Sequence, residues 1–349
     1  MTDLDQRITS VLREHAEGET DTHRLLRESR ARGRRRQLRR RVAAGTALAL
    51  VGVAGFAGVT GTDVSGLTGR LPWTAATPAT AAPPVPPRAD GVPGAAADPA
   101  RVGTDPRVLH FGVDPAQARY LGWGVSNNQV ESIRVETPAG RRITVEVARS
   151  EAALGGAGIE GFPVDLPRPA FDGGIQRVAL GGGLSGYLTW FRPAAGLFVR
   201  ASITGGDPLA LTRGLEALRW DEARRCAAPV RLDALPADAT VDSCRVDLSS
   251  YPGLVTAQLG VRGDREQHMA VWYRYAVQAG TNAKSNRTFG GRPAYVPPNG
   301  WTIDLVGVPK VELRATFDAS GEGFTEADAG TLLAGARLAE DPTRLETWP

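Results

Sequence analysis

Two residue types are almost missing from this 349-residue chain: lysine stands only at Lys284 and Lys310, and cysteine only at Cys226 and Cys244. Histidine is nearly as scarce, at His15, His23, His110 and His268. Such a stock does not build a structural zinc site, which takes four clustered Cys or His ligands. No CxxC occurs, which sets aside thioredoxin-like redox chemistry. HExxH and the P-loop are absent too, and GGLSGY around Ser185 misses the spacing of a nucleophile elbow. No cofactor and no metal are therefore expected, and the common hydrolase and nucleotide-binding signatures are set aside.

What charge there is lies unevenly. Residues 1–41 hold twelve arginines against seven acidic residues, a net +5, and the remaining 29 basic and 31 acidic residues leave the rest at −2. The basic character belongs to the tail, so a nucleic-acid-binding body is not expected. Within the tail, Leu4, Ile8, Val11 and Leu12 recur at helical spacing after a weak capping start at Thr2, and a second helical run ends in RGRRRQLRRR. Forty-one residues are too few to bury a core, so the tail is a marginal helix or orders only on a partner.

Directly after the arginines, residues 42–62 (VAAGTALALVGVAGFAGVTGT) carry no charge. At about 1.5 Å per residue this run reaches the roughly 30 Å of a hydrocarbon core. A cleaved signal has a shorter basic region and a shorter apolar run. The pattern predicts one uncleaved transmembrane helix, with the arginines holding the N-terminus in the cytoplasm and everything after residue 62 outside it. Residues 63–106 then turn Pro- and Ala-rich, which favours an extended tether.

The body beyond reads as an α+β ectodomain of two tandem units, 107–225 and 226–349, each an antiparallel sheet with a packed C-terminal helix. In the first, 130–137 and 142–149 alternate around Pro138, Ala139 and Gly140, a hairpin pattern. The strand-like LFVRASIT then leads to Asp207 and Pro208 as N-cap and N1 of a helix. In the second, 255–261 and 269–275 flank a polar turn, and VELRATF leads to a capping-box start at Thr325 and Asp328. Gly181, Gly182 and Gly183 read as a turn or bulge. Cys226 and Cys244 lie at the junction, where an even pair outside the cytoplasm is expected to form a structural disulfide.

Aromatics concentrate in the second unit as Trp272, Tyr273, Tyr275, Tyr295 and Trp301, a candidate binding surface. Since Trp272 and Tyr273 fall on opposite sides of a strand, one of them belongs to the core. His110 and His268 are the candidates for a catalytic base, the route by which the body would be an envelope hydrolase.

Three stretches carry a likeness: the tail LDQRITSVLREHAEGETDTHRLLRESRARGRRRQLRRR, the segment LDALPADATVDSC, and GGRPAYV, GWTIDL, VELRATF and LLAGARL in series. In these the chain resembles actinobacterial single-pass membrane proteins of uncharacterised or anti-sigma-factor-like type with an external domain of unknown function. The resemblance implies a non-catalytic regulator of the cell membrane. Its external domain would bind an extracytoplasmic ligand or envelope partner, and residues 1–41 would meet a cytosolic regulator. The tail departs from the zinc-binding anti-sigma pattern, having histidines but no cysteine.

Overall fold

Alternation as in ESIRVE and RITVEVA sends successive side chains to opposite faces of an extended chain, and the computed structural model of the protein is built mainly from that pattern. It describes residues 84–156, 162, 170–181, 184–264, 267–280, 283–298, 300–317 and 323–349. All lie within the compact unit Thr77–Pro349. The tail, residues 42–62 and the glycines Gly182 and Gly183 fall outside the described residues, among which no helix is long and apolar enough to cross a membrane.

Thirteen strands form one antiparallel sheet. They are β1 (Arg119–Ser126), β2 (Val130–Glu136), β3 (Arg142–Ala148), β4 (Ile175–Gly181), β5 (Leu184–Phe191), β6 (Phe198–Thr204) and β7 (Thr240–Asp247), followed by β8 (Leu254–Arg262), β9 (His268–Ala276), β10 (Arg287–Phe289), β11 (Arg292–Tyr295), β12 (Thr302–Leu305) and β13 (Val311–Phe317). Their order across the sheet is β10-β11-β12-β13-β9-β8-β7-β1-β2-β3-β6-β5-β4.

This overturns the expected pair of α+β units, each with its own sheet and closing helix. The structure is mostly β, and the described residues hold three short α-helices: α1 (Glu151–Gly156), α2 (Pro208–Glu216) and α3 (Glu326–Ala334). The reason lies at one seam. Strand β7 pairs with β1, Cys244 facing Val125 and Asp247 facing Gly122, so the sheet runs unbroken through the expected boundary. A single hydrophobic cluster takes Val145 and Ile203 together with Val271 and Leu313. Strand β1, RYLGWGVS, is buried from Tyr120 to Val125. A mid-sheet strand of this kind shows no alternation by which to recognise it.

The local elements follow their chemistry. Asp207 caps α2 by accepting from the Ala210 N–H at 2.7 Å, with Pro208 at the first helical position, where no donor is needed. Thr325 and Asp328 form a reciprocal capping box on α3. Both helices lay buried residues on one face of the sheet: Leu211 and Gly214 from α2, Leu332 and Leu333 from α3. Gly214 lets α2 sit close to the sheet: a Cβ there would stand 2.0 Å from Ile143 Cδ1, and that side chain would have to shift. Gly290 and Gly291 make the turn from β10 to β11 with φ of 54° and 79°, values that favour glycine.

Residues 84–106, at the end of the Pro-rich stretch, lie along this domain. The Ala89 N–H donates to the Ala223 carbonyl at 3.0 Å, and Ala95 and Val102 are fully buried. Proline and alanine offer apolar surface even where they offer no donors. The Cys226–Cys244 disulfide is present, spanning 18 residues and fastening the chain that enters the second half to the seam strand β7.

Candidate binding groove

The face of the sheet opposite α2 and α3 is polar, because the alternate positions of eight neighbouring strands all bring polar residues to it. Cross-strand partners share a face, so the register defines the floor in two rows. One runs Asp304, Arg314, Trp272, Gln258, Arg245, Gly124, Ser132, Glu146. Beside it runs Glu312, Arg274, Thr256, Asp247, Gly122, Arg134, Thr144. Together they floor a groove of about 1220 Å³ extending from β12 to β3. Seven strand spacings of about 4.8 Å give it a span of roughly 34 Å.

At the β3 end the groove meets a wall. Helix α1 covers the same face of β3 and β6, where Leu154 packs with Leu188 and Trp190 of β5 in a second small core. The Arg200 Nη1 donates to the Leu154 carbonyl at 2.7 Å, while its Nε donates to Glu146 at 2.6 Å.

Charges on the floor are matched. The Arg134 Nη2 lies 2.7 Å from Asp247 Oδ2. The Arg274 Nη1 donates to both Glu312 oxygens at 3.0 Å. Arg314 grips Asp304 through Nε at 2.6 Å and Nη2 at 3.2 Å, a two-point pairing that fixes both planes. Burial pulls on the Asp247 carboxyl from one side, but the Arg134 hydrogen bond and the Ser249 N–H hold it below the usual carboxylate range. The hydrogen bond that Arg314 donates to the Asp304 carboxylate raises its guanidinium above the ordinary value. Arg245 is exposed, donates to Ser126 Oγ at 3.2 Å, and pairs with no carboxylate among the described residues.

Trp272 lies 47% exposed between Gln258 and Arg314, its indole Nε1 donating to Thr316 Oγ1 at 3.2 Å. At the seam the positions on this side of β1 are glycines, buried and closely approached by their neighbours. A Cβ on Gly122 would meet the Val246 carbonyl oxygen at 2.5 Å, and one on Gly124 the Cys244 carbonyl oxygen at 2.6 Å. No side chain fits there.

The aromatics singled out from the sequence do not form one surface. Trp272 is on the groove floor, and Tyr295, opposite Asp304, shares that face at its rim. Tyr273 is buried in the core, which raises its hydroxyl well above the usual tyrosine value, and the half-buried Tyr275 lies on the same side. Trp301 is 58% exposed just before β12 and does not line the groove. The two histidines are likewise apart from it. His110 is buried, its Nδ1 2.6 Å from Glu131 Oε1, and that carboxylate also accepts the Gly103 and His110 backbone N–H groups. His268 is exposed at the start of β9, opposite Arg262.

No protein-family model matches the chain, and no curated protein matches its sequence. Among solved structures, the crystal structure of MucB in complex with MucA(peri) is similar at 13% identity, with a TM-score of 0.21 over 63% of this chain and 66% of that one. The chain thus spans just under two thirds of MucB, and so low a score transfers neither a fold nor a partner to it.

Sequence reasoning missed the paired residues Arg134, Asp247, Arg274, Glu312, Arg314 and Asp304. Their signal was present as polar residues at every second position of ESIRVE, WYRY and VELRAT. It becomes a site only once all those strands are known to share one sheet and one face. The residues lining the groove include no histidine and no cysteine. They offer fixed hydrogen-bonding groups and one exposed aromatic plane, Trp272, the equipment of recognition.

Proposed function

We propose that this chain is a non-catalytic binding protein, anchored by residues 42–62 and carrying its sheet outside the cytoplasm, with the open groove as its recognition site. One observation carries the reading: eight adjacent strands keep their polar faces uncovered around about 1220 Å³ of open space, with their arginines and carboxylates already oriented against one another. Groups so held lose little further entropy when a ligand arrives. The disulfide supports an oxidising compartment. The charge pattern of residues 1–62 supports a single span with the N-terminus in the cytoplasm.

In this reading the tail, residues 1–41, reports groove occupancy to a cytosolic regulator, as an anti-sigma-like protein would. Crosslinked capture from native membranes tests both ends. The full-length chain, a version lacking residues 1–31, and Trp272→Ala with Arg274→Ala are compared. An envelope ligand lost only from the groove variant, and a cytosolic regulator lost only from the shortened tail, are the expected results. Identical catches from all three would overturn the proposal. So would steady turnover of the captured ligand, which would favour the hydrolase alternative.

A further inference from the structure

Resting on the groove as a binding site, we infer that its ligand is a neutral glycan chain laid across the strands. Three other classes fit the floor poorly. A lipid chain needs a continuous apolar lining, and here the apolar lining residues Trp123, Val130, Val246, Ala257 and Tyr273 are buried between the polar ones, leaving Trp272 as the large apolar side chain that stands exposed. A polyanion or polycation needs a surplus of one sign, yet the lining holds four arginines and four carboxylates. Three of those arginines already bond to facing carboxylates at 2.6–3.0 Å. A peptide adding itself as a strand needs a free sheet edge, and every strand of the floor is paired on both sides.

What the floor does offer suits a polyhydroxylated, uncharged molecule. A guanidinium has five donors and a carboxylate about four acceptor positions, so each ion pair retains unused groups in a fixed plane. Gln258 and Thr256 add neutral donors and acceptors between the pairs. A sugar hydroxyl both donates and accepts, and can bridge the two halves of such a pair without separating them. Trp272 supplies the remaining element. Its ring is tethered at Nε1 and half exposed on the floor. The electron-rich face of an indole attracts the partly positive C–H groups that line one side of a pyranose.

The test is calorimetric titration of the full-length chain in detergent with chitohexaose, cellohexaose, xylohexaose and mannohexaose. It is run at low and high sodium chloride, with polyglutamate and polylysine as charged controls. The expected result is binding of at least one glycan with an affinity that salt leaves unchanged, because no net charge is neutralised. Trp272→Ala should weaken that binding by about tenfold or more, a loss of about 1.4 kcal/mol. Trp272→Phe should restore part of it. Thermal unfolding of both variants at the wild-type temperature would show that the loss is local. Binding of a charged polymer instead, with steep salt dependence, would overturn the glycan inference and leave the groove reading standing. Silence of all four glycans would overturn it too, and the membrane capture then decides the groove independently. Glycan binding untouched by Trp272→Ala would place the glycan elsewhere and end the inference.

Discussion

The two faces of the sheet are made by the same strands and obey opposite rules. On one, Leu313, Tyr273, Val271 and Ile133 interlock beneath α2 and α3 with almost no exposure. On the other, Arg314 and Trp272 are exposed and Arg134 is half-buried, and each is bonded to a polar partner on its own face: Asp304, Thr316 and Asp247. Residues adjacent in sequence thus belong to different systems, one that holds the sheet together and one that is held by it. Ion pairs at an exposed surface are worth about 0–1 kcal/mol each, so the groove's pairs serve orientation more than stability.

The sharpest way to break this comparison is a neighbouring pair on β9. Tyr273→Ala is expected to cost about 3–5 kcal/mol of unfolding free energy, as for other large aromatics removed from a core. Denaturant titration checks it, and a change below about 1 kcal/mol would remove Tyr273 from the core. Next in size is the crosslink. Replacing both Cys226 and Cys244 by Ser reopens a loop of 18 residues, and the chain entropy regained by the unfolded state should cost about 3 kcal/mol. The same titration, oxidised wild type against variant, measures it.

A smaller gain follows from the Tyr273 hydroxyl, which is buried with no hydrogen-bond partner among the described residues. Tyr273→Phe deletes it, and because an unsatisfied buried group costs about 1–3 kcal/mol, stability should rise by about 1 kcal/mol. A loss would reveal a hidden partner. On the groove face the effects shrink further. The Asp247 carboxyl is held below its ordinary value of 3.8. Its contribution is therefore full above that value and disappears as pH falls through the lower folded one. Asp247→Asn should flatten the acid limb of a stability–pH curve below about pH 4 and leave neutral stability within about 1 kcal/mol. An unchanged acid limb would mean that the Arg134 pair does not form in solution. Smallest of all, Trp272→Ala should move stability by no more than about 0.5 kcal/mol.

Much of the local structure was legible in the sequence. The hairpin of β2 and β3, the N-cap at Asp207, the capping box at Thr325 and the disulfide each depend on residues close together in the chain or on a simple count. What stayed hidden depends on distance. Val125 faces Cys244 across the seam, and no local pattern in RYLGWGVS or TVDSCRVD names its partner. Without that pairing the strands fall into two separate units, and the groove does not exist because its two flanks belong to different sheets. The aromatics drew attention because they are conspicuous singly. The arginines and carboxylates matter as rows, and rows appear only with the register.

The crowded pair Gly122 and Gly124 bears on how such a protein can diversify. Any side chain added at the middle of the floor strikes the backbone of β7, so the centre of the groove is closed to change by single substitution. Its two flanks, bearing Arg134 with Glu146 and Trp272 with Arg314, are free to vary independently. A lineage carrying this sheet would retune its preference at either end while the midpoint stayed constant, like a ruler whose marks can be redrawn everywhere except at its fold.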